Sequence, residues 1–310
     1  MKTLCVVSEV FALFSLVTSA LAQVQPTCTQ SVPVSVMEID SGDVLINLTS
    51  SQFRVTLGGA PVSVVSAQRD SGRRSLVLVL DMNSGAWEHE RYDVLNLLKG
   101  VGKKHRIAMI AFAKNGLKEF GFDSGVEAIS QWLATVEAGQ GQLEEVQPKP
   151  VGFLDAIHKA AGMLPADEFG SAILAVGPNY PYSPNYVSSK DLQRELTKSG
   201  IRLFGLDSGG EVVYRVATST GGLVFREDES IEGVNLWLPP IVKWDWMDDL
   251  VLGQVLTPYR LDLRIGTLPR PDAKWKVEIL NQNGKKRSGL HVVFPYDAPY
   301  CQGPSPSVNP

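Results

Sequence analysis

The hydrophobic pattern divides the chain into three zones. Between residues 32 and 69 apolar side chains recur at every second position. Val32, Val34 and Val36 alternate with Pro33 and Ser35, and Phe53, Val55 and Leu57 alternate with Arg54 and Thr56. A period of two predicts strands with one face buried. Gly58-Gly59 separates the second run from Val62-Ser63-Val64-Val65, a hairpin signal.

From about 75 to 225 the pattern changes to short continuous apolar runs alternating with helical spacing. The runs at 76–80, 106–112, 172–176, 201–206 and 223–225 predict strands buried on both faces, as in a parallel sheet. Helices are predicted at 87–98, 125–136, 153–164, 187–199 and 212–219. Ile129, Leu133 and Val136 share a face in the second of these, and Leu154, Ile157, Ala161 and Leu164 in the third. Gly200 stops the fourth, and residues 139–150 read as a loop. In the third zone, 230–296, a helix to about residue 252 precedes strands at 259–265, 274–280 and 290–294. Asn281-Gln282-Asn283-Gly284 forms a hairpin turn between the last two.

Repeated strand–helix alternation predicts an α/β fold, with a doubly wound, mainly parallel sheet carrying helices on both faces. The N- and C-terminal flanks supply strands for a small antiparallel β-domain. The expected organisation is a targeting segment at 1–22, an N-terminal β segment at 23–72, the α/β domain at 73–228, a C-terminal helix and β segment at 229–302, and a Pro/Ser-rich disordered tail at 303–310.

Composition agrees with a folded domain. The chain has 310 residues, 44% of them hydrophobic and 20% charged, enough to bury a core. Its net charge of −4 provides no global attraction to nucleic acid or an anionic membrane. The basic clusters Arg73-Arg74, Lys103-Lys104 and Lys285-Lys286-Arg287 read as solvated turns. Lys2, an apolar stretch at 11–17 and Ala20-Leu21-Ala22 form the pattern of a cleavable export signal, with the mature chain starting near Gln23. No later segment is long and apolar enough to span a bilayer. The expected destination is the periplasm or the medium. Cys5 leaves with the signal. Cys28 and Cys301 remain, and an oxidising compartment permits them to pair; two free thiols or a bridge to another chain are the alternatives.

The chain has no Gly-x-Ser-x-Gly elbow, no His-Glu-x-x-His pair, no cysteines at zinc spacing and no phosphate-cradling glycine loop. His89, His105, His158 and His291 are scattered. Asp207-Ser208-Gly209 reads as a turn, and Trp244, Trp246, Asp248 and Asp249 as two faces of a helix. Asn47-Leu48-Thr49 matches a glycosylation sequon. The loop Asn179-Tyr180-Pro181-Tyr182-Ser183-Pro184-Asn185-Tyr186 follows a parallel strand, so it belongs on the ligand-bearing edge of the sheet. Tyr180, Tyr182, Asn185 and Tyr186 are the candidate partner-binding residues, because tyrosine gives large contact area at small entropy cost. Packing of these tyrosines against the neighbouring helix is the equal alternative.

Asp81-Met82-Asn83-Ser84-Gly85, at the end of an apolar strand, resembles the Asp-x-Ser-x-Ser metal motif of von Willebrand factor A-type (VWA) domains. Phe153-Leu154-Asp155-Ala156 resembles the helix that follows the metal-binding Thr of that family. The segment from Ala217 through Thr220-Gly221-Gly222 to Phe225 resembles its late Ala-x-x-Thr-Gly-Gly-x-x-Phe pattern. With its flanks, nearly the whole mature chain is similar to exported bacterial "VWFA-related" proteins.

The resemblance implies a VWA fold, a protein partner and a site for Mg²⁺ or Mn²⁺ made of hard oxygen ligands. The ligand set is depleted. Asp81 and Asn83 remain as metal candidates, Gly85 offers no side chain, the Thr position falls on Val151, and Val176-Gly177-Pro178-Asn179 lacks the third-loop acid. The expectation is a non-enzymatic adhesion or scaffold module without a tightly held cofactor, for which any Mg²⁺ or Mn²⁺ is weak. A working metal-dependent receptor using Asp81 is the alternative, and an extracellular hydrolase is a distant third. Asp81 also reads as a simple cap for the following helix.

Overall fold

A computed structural model describes residues 28–39, 41, 43–82, 87–101, 105–113, 116–137, 151–166, 168–177, 185–206, 211–225, 253, 255, 257–266 and 273–297. The chain begins with β1 (Cys28–Glu38), a 3-10 turn (Ser50–Gln52), β2 (Phe53–Leu57) and β3 (Ala60–Arg69). It continues through β4 (Ser75–Asp81), α1 (Trp87–Val101), β5 (Arg106–Ala113), β6 (Gly116–Phe120), α2 (Gly125–Glu137), α3 (Phe153–Met163) and β7 (Ala172–Val176). Then come α4 (Ser189–Ser199), β8 (Arg202–Leu206), α5 (Glu211–Ser219), β9 (Val224–Phe225), β10 (Tyr259–Ile265), β11 (Trp275–Ile279) and β12 (Leu290–Val293). The helix expected at 230–252 lies outside the described residues.

The middle of the chain forms a six-stranded sheet in the order β6-β5-β4-β7-β8-β9. Five of its strands are parallel, and β6 pairs antiparallel with β5. Every residue of β4, β7 and β8 is buried, which is why these strands read as unbroken apolar runs. Leu76, Leu78 and Leu80 pack with Val94, Leu98, Ile129 and Leu133 from α1 and α2. The alternate residues Val77 and Val79 pack with α3, α4 and α5 through Ile157, Leu192, Leu196 and Val213. Both faces are therefore covered.

The two ends of the chain build a second six-stranded sheet, antiparallel throughout, in the order β11-β2-β3-β10-β1-β12. The 281–284 turn forms as expected, with Gly284 N donating to Asn281 O at 3.0 Å. A short hairpin closes around it, with Leu280 bridged antiparallel to Lys286 and Arg287 N donating to Ile279 O at 2.8 Å, but β11 and β12 do not pair with each other. β11 and β12 lie at opposite edges of the sheet, each paired with a distant strand, and the sheet curls so that the two edges meet where Trp275 N donates to Tyr296 O at 3.3 Å. Val34, Leu57, Leu261, Leu263 and Trp275 fill the interior of that curl.

The polar seam between the sheets corrects one expectation. Arg74 is not a solvated turn residue; it is 4% exposed. Its guanidinium pairs with Asp70, donates to Phe169 O at 2.6 Å and lies over the Phe169 ring. Arg260 of β10 lies over the same ring at 5.0 Å. Nearby, Glu168 accepts from Ser75 Oγ at 2.8 Å and Arg106 Nη2 at 2.5 Å. Arg202 is deeper still, at 1% exposure, and donates to Gly170 O and Val255 O. Burial, and then the neighbouring Arg74 charge, push its guanidinium down to about 9, so it stays protonated at neutral pH.

Two outcomes follow for stability. Arg202→Leu strands two buried carbonyls and is expected to cost about 3 kcal/mol, because truncating a buried charged donor leaves its partners unsatisfied. Urea unfolding checks this, and a loss within error of zero contradicts it. Asp262 of β10 accepts from Ser31 Oγ and from Ser66 Oγ, both at 2.6 Å, on the strands either side. These hydroxyls, Ser31 first and then Ser66, with Arg260, hold its carboxyl below the usual value of 3.8. A depressed folded pKa contributes stability that is complete above the unfolded pKa and lost as pH falls through the folded one. The stability gap between the parent and Asp262→Asn is therefore expected to be flat above about pH 5 and to close below about pH 4. Unfolding curves across that range test it.

Candidate functional site

The C-terminal ends of β4 and β7 define the place where an α/β sheet accepts ligands. From β4 the chain leaves towards α1 on one face, and from β7 towards α4 on the other. This divergence in direction marks the boundary as the place where an open α/β sheet receives ligands. Asp81 closes β4 at this point and is buried, at 2% exposure. Gly177, the residue after β7, lies directly against it. Gly177 has φ +116°, and a Cβ there would sit 2.8 Å from Asp81 Cβ. Only glycine lets the two loops approach this closely. Gly177 N donates to Leu206 O at 3.2 Å, and Met82 N to Phe112 O at 2.9 Å, so both loops are tied to neighbouring strands.

The other positions of the expected metal set give little support. Asn83 lies outside the described residues. Val151 is partly buried and packs with the α3 side of the core. Asp155, three residues into α3, has its carboxylate engaged by main-chain donors. Oδ1 accepts from Tyr186 N at 2.9 Å and from Val187 N at 2.8 Å, and Oδ2 accepts from Gly152 N at 3.3 Å. Among the described residues no group of three His, Cys, Asp or Glu side chains converges as a metal site.

The tyrosine-rich loop is described only from Asn185 onwards; Tyr180 and Tyr182 lie outside the described residues. Asn185, a candidate partner contact, uses its side chain internally. Its Oδ1 accepts from Leu154 N at 2.7 Å and so caps the start of α3. Tyr186 differs: its main chain is fixed by Asp155 while the residue remains 60% exposed. Val187 packs inward, and Ser188 then caps α4 by accepting from Asp191 N at 3.1 Å. Val212, in the first turn of α5, is a second exposed apolar side chain, at 41%. The roles of Asp155 and Asn185 were not legible in the sequence, although Asp155 at the third helical position is a capping signal.

The Thr220-Gly221-Gly222 segment is explained by packing. Thr220 Oγ1 accepts from Leu203 N at 3.1 Å and donates to Ala217 O at 2.9 Å, joining the end of α5 to β8. A Cβ on Gly222 would lie 1.6 Å from Leu203 O. Here the glycine permits backbone contact and leaves no opening for a ligand.

The remaining expectations fall as follows. Cys28 is disulfide-bonded, while Cys301 lies outside the described residues. His158 contacts Glu195 at 2.6 Å between α3 and α4. Burial lowers the pKa of His291. Residues 207–209 and 244–249 lie outside the described residues. No described helix is long and apolar enough to cross a membrane.

No protein-family model matches the chain, and no curated protein matches it in sequence. Many solved structures are similar, among them three at low identity. The TFIIH p34 N-terminal domain is 12% identical over 51% of this chain and 92% of that one, with a TM-score of 0.35. Proximal thread matrix protein 1 from the mussel byssus is 11% identical over 65% of this chain and 50% of that one, at 0.43. The SpRpn10 VWA domain is 14% identical over 58% of this chain and 93% of that one, at 0.32.

Removing the Asp155 carboxylate tests how the rim is held. Asp155→Ala is expected to cost about 2 kcal/mol through three unsatisfied amides. Hydrogen exchange at the Tyr186 and Val187 amides should accelerate in the variant. Unchanged protection there contradicts the assignment.

Proposed function

We propose that the chain is an exported, non-enzymatic binding module built on a doubly wound VWA-type domain, which engages another protein at the C-terminal rim of its parallel sheet without a tightly held metal. The observation that carries this reading is Tyr186. Its main chain is held by Asp155, and the residue is 60% exposed just ahead of α4. A rigid, exposed aromatic residue is an economical anchor for a protein interface, because little side-chain freedom is lost on docking.

The donor set fits a divalent cation poorly. Mg²⁺ requires near-octahedral oxygen coordination. Among the described residues of the expected set only Asp81 offers a carboxylate; Gly177 is packed against it and Val151 has no side-chain oxygen. Export is supported by the leader pattern of residues 1–22 and by the disulfide at Cys28, since disulfides persist in oxidising compartments. Pairing of Cys28 with Cys301 is part of the proposal.

Thermal melts in EDTA and then in Mg²⁺ or Mn²⁺ separate this reading from the metal-dependent one. A ligand of the folded state at about 100 times its Kd adds about 2.7 kcal/mol. No shift is expected in the parent or in Asp81→Ala. A rise seen in the parent and lost in Asp81→Ala establishes a metal-dependent receptor instead. In the same preparation, recovery of the native partner is expected to fall with Tyr186→Ser; unchanged recovery removes the rim assignment.

A further inference from the structure

The seam between the two sheets holds, beside a basic helix, a strand edge with which no described strand pairs. β1 has 11 residues, and its two edges are covered unequally. On one edge β10 pairs with Cys28 to Val34. On the other, β12 pairs only with Ser35 to Glu38. Val36 O accepts from Leu45 N, and Glu38 N donates to Asp43 O, on the β10 side. Even-numbered residues therefore direct their main-chain groups to that side and odd-numbered residues to the β12 side. The main chain of Thr29 and Ser31 and the carbonyl of Pro33 face the stretch that β12 leaves open, and no described strand pairs with them there. Pro33, which has no N–H to satisfy, suits such an edge.

A cleft of about 250 Å³ lies along this edge, with Ser31 and Pro33 on one wall and Lys198, Gly200 and Ile201 on the other. At Thr197 and Lys198 it opens into a groove of about 650 Å³ that runs up α4. Lys190, Arg194 and Lys198 line that groove at intervals of four residues, which places them on one face of the helix. Arg194 is partnered by Asp191 at 3.0 Å. Among the described residues no carboxylate pairs with Lys190 or Lys198. Asp297, on the far wall, is held by Lys274 Nζ and Gln193 Nε2. The groove thus has a surplus of positive charge on a chain whose net charge is −4.

We propose that an extended acidic segment of a partner protein adds as a strand to the open edge of β1 at Thr29–Pro33 and continues up α4, with its carboxylates against Lys198, Arg194 and Lys190. Edge addition supplies main-chain hydrogen bonds that any extended sequence can make, and flanking side chains choose among sequences. The edge spans roughly 13 Å, at about 3.3 Å per residue. The helical stripe adds about 12 Å, at 1.5 Å per residue. Together they fit about eight extended residues. The surface is separate from the Tyr186 rim and does not depend on it.

The test is fluorescence anisotropy on the full-length chain with a labelled peptide of four alternating valines and threonines followed by four glutamates. Saturable binding is expected, weakening as ionic strength rises. Binding should weaken about tenfold or more in Lys190→Glu combined with Lys198→Glu. It should disappear when alternate amides of the valine–threonine half are N-methylated, and it should be unchanged in Tyr186→Ser. Both lysines are exposed, so the double variant should keep its circular dichroism spectrum. Equal affinity in the double variant, or for the N-methylated peptide, overturns the proposal. So does binding that appears only after residues 298–310 are removed, since the chain's own tail would then be the occupant.

Discussion

Two buried guanidinium groups impose the condition on which the rest of the structure depends. Arg74 and Arg202 are taken out of water at the N-terminal ends of the parallel strands, and each buried cation must be matched by oxygens. The segment at 168–171 provides the match. It presents Phe169 O to Arg74 and Gly170 O to Arg202, while Val255 O comes from the chain on its way to β10. The same segment carries Glu168, which gathers Ser75 and Arg106 at the starts of β4 and β5. One short loop therefore fixes the starts of neighbouring strands and the approach of the antiparallel sheet. Apolar packing alone would hold these layers together without fixing their rotation; the directional bonds of the two arginines do.

That fixing at one end of the sheet leaves the other end to present a surface. At that end Gly177 is packed against Asp81, and the carboxylate of Asp155 ties the 186–187 segment to the start of α3. Among the described residues Tyr186 and Val212 are exposed on that frame.

The sequence disclosed those parts of the fold in which burial is uniform along a segment. β4, β7 and β8 are buried on both faces, so their runs contain no polar interruption, and their ends were placed within a residue or so. β6 escaped notice because it is a five-residue edge strand with Lys118 and Glu119 in its middle, and edges carry charge. The 281–284 turn was legible, but the partners of β11 and β12 were not, because curling of a six-stranded sheet is a property of all its strands together. Arg74 and Arg202 were invisible for a related reason: a charged residue reads as exposed until its partners are known. At the rim, Asp81 stood out as the polar end of an apolar run. Asp155 and Asn185 act across about thirty positions of chain, a reach that local pattern does not encode.

The middle unit leaves and rejoins the antiparallel sheet at adjacent points. Arg69, the last residue of β3, is paired with Tyr259, the first of β10, and Asp70 N donates to Pro258 O at 2.9 Å. Arg69 and Thr257, also hydrogen-bonded, are 188 positions apart. In kinetic terms the α/β unit is a loop that closes itself. Once that unit is folded, β3 and β10 lie side by side, so the entropy of closing that long loop is met once. After that event the antiparallel sheet assembles from strands that are near neighbours in space. The antiparallel sheet, whose strands come from both ends of the chain, therefore needs only the short closure between neighbours that the folded middle unit supplies.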